Sequence, residues 1–393
     1  MTKRPRNPQT STKAAPSGLR LGTMSARTER RTLLMPDAAL RLTPIAADAE
    51  FPEAQAAHYR LLSPQRGRSL SSDLSRIESK RLAAAYRAAP DPVAEADDAA
   101  EVPVKDVPGL SIPGIRPRHI GFDPHPFAAL VHPRLRPHLL ELEGAFTARI
   151  KLGAPVHFYP WCTVGRIFRS YPPYTSEHGW ASGFMFGGRV MITARHAFPK
   201  NIHETFSNGA RYRFVPGYDA GATVREPYGS AFVTNVRGKE KDSGSLLGDG
   251  FFGDPNGWDY AACRLDWRIG DLSGSMGTYS FHDGDDFKNK YYSSAGYPSY
   301  AKGRPVQEIL AKVRDVDGST WERELETVNF AAPGWSGGPL FGYLDASGDT
   351  RVVGVCSGSE WMDSILPPYN NCVWAGGHRF IALCEYTVQN WWT

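Results

Sequence analysis

The chain has 393 residues, 41% hydrophobic and 12% aromatic, enough for two compact domains or for one domain with a long extension. A net charge of +4 is too mild to argue for nucleic acid, and no run of 18 apolar residues exists to span a membrane. Gly (39) and Pro (31) are abundant, which favours turns and short strands over long helices.

In chain order, residues 1–110 read as a low-complexity, partly disordered extension rich in Ala, Pro, Arg and Ser. Its basic start lacks the apolar stretch of a secretory signal. The pair Arg30-Arg31 is followed by Pro36, Asp37 and Arg41 where a twin-arginine signal needs apolar residues, so a cytoplasmic location is expected. Within the extension, residues 71–89 read as a helix: Ser72 can cap it, Leu74, Ile77, Leu82 and Tyr86 share one face, and Pro90 ends it. Residues 111–150 read as a linker, with a second short helix around 133–146.

From about residue 150, short apolar runs recur between Gly, Asn, Asp and Pro clusters, the texture of an all-β barrel or sandwich; only the final IALCEYTVQNWWT reads as helical. The five cysteines, at 162, 263, 356, 372 and 384, show no metal-ligand spacing and read as small buried thiols.

Three stretches carry candidate chemistry. In APGWSGGPL (332–340), Gly334 frees the backbone to turn its N–H toward that of Ser336, and the two together would form an oxyanion hole beside the Ser336 hydroxyl. GRVMITARHAF (188–198) reads as an apolar strand with His196 just past its end, a rigid place from which a base can project. NGWDYAACRLD (256–266) places Asp259 at the mouth of another apolar strand, where a buried carboxylate needs a donor such as an imidazole N–H; Asp254 and Asp266 are rivals in looser or more exposed places. Serine nucleophile, histidine base and orienting carboxylate make a set for acyl transfer.

These motifs resemble those of trypsin-like serine peptidases: ITARHAF the histidine motif, WDYAACRL the aspartate motif and PGWSGGPL the serine motif, in that order. ASGFMF (181–186) resembles the small-residue strand before the histidine motif, VVGVCSG (352–358) the strand after the serine loop, and SAGYPS (294–299) a turn of bacterial glutamyl-endopeptidase-like members. The resemblance covers about residues 150–393. It implies a chymotrypsin-like all-β fold of two antiparallel six-stranded β-barrels with a C-terminal helix. The first barrel would span 151–275 with His196 and Asp259, and the second 276–393 with Ser336. It implies a serine endopeptidase acting on protein or peptide through an acyl-enzyme, with no metal and no cofactor.

The chain departs from that pattern in places. Arg195 stands where a small residue is usual, Ala197 and Ala332 where many secreted members have cysteines, and no activation sequence opens the barrel region. Phe330 occupies the position of the acid of basic-specific members, and Cys356 that of the specificity histidine of glutamyl endopeptidases. A pocket built around Phe330, Ala331, Ser357, Gly358 and Ser359 is therefore expected to be uncharged. Two other readings compete. One is an α/β-hydrolase-type esterase with Ser336 on a nucleophile elbow, Asp363 and His378, which needs a helix straight after the serine. The other is a catalytically silent peptidase-fold scaffold or binding module. The extension is read as a cover for the cleft, as an arm that binds a partner, or as a disordered leader with no role.

Overall fold

The computed structural model describes residues 72–95, 109–121, 150–198, 206–239, 257–328, 332–344, 349–361 and 370–392. The helix expected at 71–89 is present as α1 (Ser72–Ala88), which stops two residues before Pro90; the one expected around 133–146 lies outside the described residues. Two short strands follow α1 inside the stretch read as irregular: β1 (Val93–Glu95) and β2 (Gly109–Ile112). At three and four residues, they are too short to show a period-2 pattern. Next comes β3 (Ile150–Leu152).

The first barrel is built from β4 (Val164–Ser170), β5 (His178–Met185), β6 (Val190–Thr193), β7 (Arg211–Pro216), β8 (Ala231–Arg237) and β9 (Ala261–Leu265). The antiparallel ladder runs β8-β7-β4-β5-β6-β9, and β9 pairs back onto β8, so the ring closes. Ile167, Met185, Met191, Phe214, Val233 and Leu265 fill its interior. β1 adds to the outside of β8 as a parallel strand.

The second sheet contains β10 (Gly277–Phe281), β11 (Tyr292–Gly296), β12 (Val306–Ala311), β13 (Val313–Gly318), β14 (Arg323–Val328), β15 (Pro339–Tyr343), β16 (Thr350–Trp361) and β17 (Asn370–Gly376). Its ladder runs β13-β14-β17-β16-β15-β11-β12-β3, which is open between β12 and β13 and so makes a half-barrel where a closed barrel was expected. The physical reason is a bend: β12 and β13 adjoin at Lys312, and Leu310 has a left-handed φ of 61°, so one stretch of chain turns the corner without pairing to itself. β3 lies on the edge of this second sheet, although it opens the stretch read as the first barrel. β2 pairs antiparallel with β10, which runs parallel to β16. The chain closes with α2 (His378–Asn390), the helix the sequence marks there.

A third core lies between the two sheets. Trp161 packs edge-on to Phe341, with ring centroids 5.4 Å apart, and Phe184, Tyr218, Tyr297, Val352, Phe380 and Trp391 join the same cluster. Side chains of both sheets and of α2 thus share one buried layer, which fixes the first barrel against the second sheet.

Candidate active site

Strand pairing explains how distant residues meet. β6 and β9 are antiparallel, with Thr193 opposite Ala261. His196 lies three residues past the end of that pair and Asp259 two residues before it, so both project from the same end of the first barrel. β15 and β16 are antiparallel with Pro339 opposite Val355. Ser336 precedes that pair and Ser357 follows it, again at one end.

Asp259 is fully buried. Its Oδ1 accepts the His196 backbone N–H at 2.9 Å, and its Oδ2 lies 2.6 Å from His196 Nδ1. Ser357 Oγ donates to the same Oδ2 at 2.5 Å. A buried carboxylate is tolerable only with such donors. The Nδ1 bond holds that ring proton toward Asp259 and leaves Nε2 as the acceptor. The preceding turn, Arg195–Ala197, is a single 3₁₀ turn following four buried strand residues, so the base stands on a rigid support. Arg195 does not charge the cleft: it is buried, donates to the Phe198 carbonyl at 3.2 Å and lies close to Cys263 inside the first barrel.

Ser336 is half-buried in a turn pinned from three directions. Its carbonyl accepts from the Ser182 N–H of β5 at 2.8 Å, the Gly337 N–H donates to the Cys356 carbonyl of β16 at 2.8 Å, and the Pro333 carbonyl accepts from the Ser299 N–H at 2.8 Å. Gly337, at φ +87°, presses on the histidine strand. A Cβ there would lie 2.1 Å from both the Ser182 carbonyl and Thr193 Oγ1, and 2.9 Å from the Ala194 nitrogen. Ser336 therefore sits beside the turn that carries His196.

The same bonds aim the two expected oxyanion donors. In a trans peptide the C=O and the following N–H point in opposite directions. The Pro333 carbonyl is turned to Ser299 and the Trp335 carbonyl to the Gly338 N–H at 2.8 Å, so the N–H groups of Gly334 and Ser336 face the other way. Among the described residues neither N–H meets a protein acceptor. Gly334 has φ +96°, and a Cβ on it would meet the Tyr297 carbonyl at 2.6 Å, so only glycine fits.

The pocket expectations fare differently. Ser357 turns its hydroxyl to Asp259 and so supports the carboxylate. Gly358 is half-buried, and among the described residues nothing lies within 4 Å of where its Cβ would be, which leaves open space beside β16 there. Phe330 and Ala331 lie outside the described residues, as does the side chain of Ser359. Cys356 is buried in the second barrel with its Sγ 3.7 Å from Cys372 Sγ, so its side chain belongs to the core. All five cysteines are free and buried.

Sequence reasoning missed Ser182. It is fully buried, donates its hydroxyl to the Gly334 carbonyl at 2.7 Å and accepts the Tyr297 N–H at 2.8 Å, while its carbonyl accepts Thr193 Oγ1 at 2.7 Å. The only signal was its place in a run of small residues, ASGF.

The elbow reading fails, because Ser336 is followed by β15 and not by a helix. His378 lies at the start of α2 with its ring 5.9 Å from that of His282; Asp363 lies outside the described residues. Among the described residues, no group of three or more His, Cys, Asp or Glu could hold a metal ion, and no helix is long and apolar enough to cross a membrane.

No family model matches the chain, and no curated protein matches it. Solved structures do. A Glu endopeptidase in complex with MPD matches at TM-score 0.45 and 15% identity, over 61% of this chain and 97% of that one. Protease Anisep from Arthrobacter nicotinovorans matches at 0.40 and 18%, over 59% and 97%. A thermostable serine protease, AL20, from an extremophilic microorganism matches at 0.39 and 18%, over 58% and 98%. These are likenesses at low identity, and nothing about this chain's chemistry follows from them.

Proposed function

We propose that this chain is a serine endopeptidase that cleaves peptide bonds through an acyl-enzyme on Ser336. The observation that carries the reading is the His196–Asp259 pair: a fully buried carboxylate bonded to both the backbone and Nδ1 of a histidine whose turn adjoins the Ser336 loop at Gly337. In the proposed first step Ser336 Oγ attacks the scissile carbonyl while His196 Nε2 takes the hydroxyl proton. The negative charge that forms on the carbonyl oxygen is met by the N–H groups of Gly334 and Ser336. Asp259 stabilises the imidazolium. His196 then returns the proton to the departing amine, the acyl-enzyme forms, and water repeats the sequence to release the acid. The acyl half of the peptide would run along β16 past Gly358, where the space is open.

Digestion of a proteome-derived peptide library, with the new termini mapped, tests the reading. Cleavage by the native chain and none by Ser336→Ala supports it; equal products from both would count against it. The scaffold reading predicts no products from either.

A further inference from the structure

β5 carries an exposed tryptophan at the margin of this site. Trp180 donates its Nε1–H to the Ala197 carbonyl at 2.6 Å, one residue past His196, yet stays 39% exposed. A β-bulge puts it there: Ile167 pairs with Ala181 and Phe168 with Gly179, so Trp180 is the extra residue of β5. Bulges of this kind re-aim a side chain. The Arg169 guanidinium lies 3.4 Å from the centre of the Trp180 ring and 5.2 Å from that of Tyr171, which is also exposed. Stacking at that distance holds the cation in one place.

Among the described residues, charge at Arg169 is one-sided. Among the described residues no carboxylate lies within ion-pair distance of Arg169. The nearby acid of β5's approach, Glu177, is taken up by Arg213 at 2.6 Å and by the Tyr86 hydroxyl at 2.7 Å. The exposed His178 is the direct cross-strand neighbour of Arg169.

The position fixes which half of a substrate would meet it. β16 joins the serine loop at Cys356–Gly337, beside the path assigned above to the acyl half, whereas β5 joins it at Ser182–Ser336 and meets the histidine turn through Trp180 and Ala197. His196 delivers its proton to the departing amine, so the leaving half passes His196 and continues over β5. Resting on the peptidase reading, we infer that Trp180 and Arg169 form a binding site for an acidic side chain on the leaving-group side of the scissile bond.

Quenched fluorescent peptides built on one mapped cleavage site, differing only in Glu, Gln or Lys at the first three leaving-side positions, test this. The native chain should prefer Glu over Gln by about two- to fivefold in kcat/KM at low salt, the range of an exposed ion pair, with Lys below Gln and the preference shrinking as salt rises. Arg169→Met keeps the stem but removes the charge, and should bring the Glu/Gln ratio to about one. Trp180→Ala should do the same by freeing Arg169, and Trp180→Phe should restore part of the preference. Each variant is first labelled with a fluorophosphonate probe to show an assembled Ser336. A labelled native chain with no Glu preference, or a preference that survives Arg169→Met, overturns the inference. A native chain that takes no label at Ser336 overturns the peptidase reading, and this inference with it.

Discussion

Asp259 concentrates the cost of the site in one side chain, because nothing but its donors compensates a buried carboxylate. Asp259→Asn would keep the shape but favour the wrong imidazole tautomer, and kcat should fall by about 10,000-fold. Ser357→Ala removes one of these donors and should cost about ten- to a hundredfold, the worth of a hydrogen bond to a charged group. Steady-state kinetics on one cleaved peptide separates the two; equal losses would mean that Ser357 acts in some other way. Gly334→Ala sets a Cβ against the Tyr297 carbonyl at a φ that alanine resists, so the donor pair should be misplaced. kcat should drop about 100- to 1,000-fold with KM little changed, as for loss of one oxyanion donor. A rise in KM alone would contradict this geometry.

His378 gives a prediction about stability. Burial first, then the neighbouring His282 and Arg323, lower its pKa below the ordinary histidine value. The unfolded chain therefore binds a proton more readily than the native one does. Stability from this group is complete above about pH 6.5 and is lost as the pH falls through the depressed native pKa. Thermal unfolding from pH 8 to 5 should show this loss in the native chain and a smaller one in His378→Phe; parallel curves would remove His378 from the account.

At the level of elements, Ser182 is the joint between the first barrel and the half-barrel. One β5 residue holds Gly334 and Ser336 of the second sheet through its hydroxyl and its N–H, and accepts from Thr193 of the histidine strand. Its hydroxyl is lost in Ser182→Ala, which leaves the Tyr297 N–H unpaired in the core. A loss of about 1–3 kcal/mol is expected from chemical denaturation, together with slower labelling of Ser336. His196, Asp259 and Ser336 could be singled out as candidates in the sequence because each ends or precedes an apolar strand, a pattern of side-chain chemistry within a dozen residues. The joint was not, because the partners of Ser182 lie about 10 to 150 positions away and depend on strand register. Nor was the role of Ser357. Alternation along VVGVCSG says that successive side chains face opposite ways, but not that one face meets a carboxylate of the other barrel. Trp180 was hidden by the bulge, which pattern matching does not see.

At the scale of the molecule, the N-terminal extension is partly built into the first barrel. Tyr86 of α1 is buried edge-on to Phe232 and bonded to Glu177, Arg211 bonds Asp91, and Glu95 bonds both Asn235 of β8 and Tyr386 of α2. Arg213 is buried between Glu177 and Glu226; burial alone would lower its pKa, but the two carboxylates hold it well above the ordinary value. Compositional bias hid this, because the docking residues are few and sit among Ala, Arg and Pro. A chain lacking residues 1–95 should unfold at a lower temperature and cleave no faster than the full chain. Faster cleavage with unchanged stability would instead support a cover over the cleft.

The central claim is that His196 and Asp259 activate Ser336. Labelling with a fluorophosphonate probe, read by intact mass and peptide mapping, tests it most directly. A single adduct on Ser336 is expected in the native chain, none in Ser336→Ala, and labelling slowed at least about 100-fold in Asp259→Asn. A native chain that takes no adduct, or an adduct whose rate ignores the loss of Asp259, would contradict it.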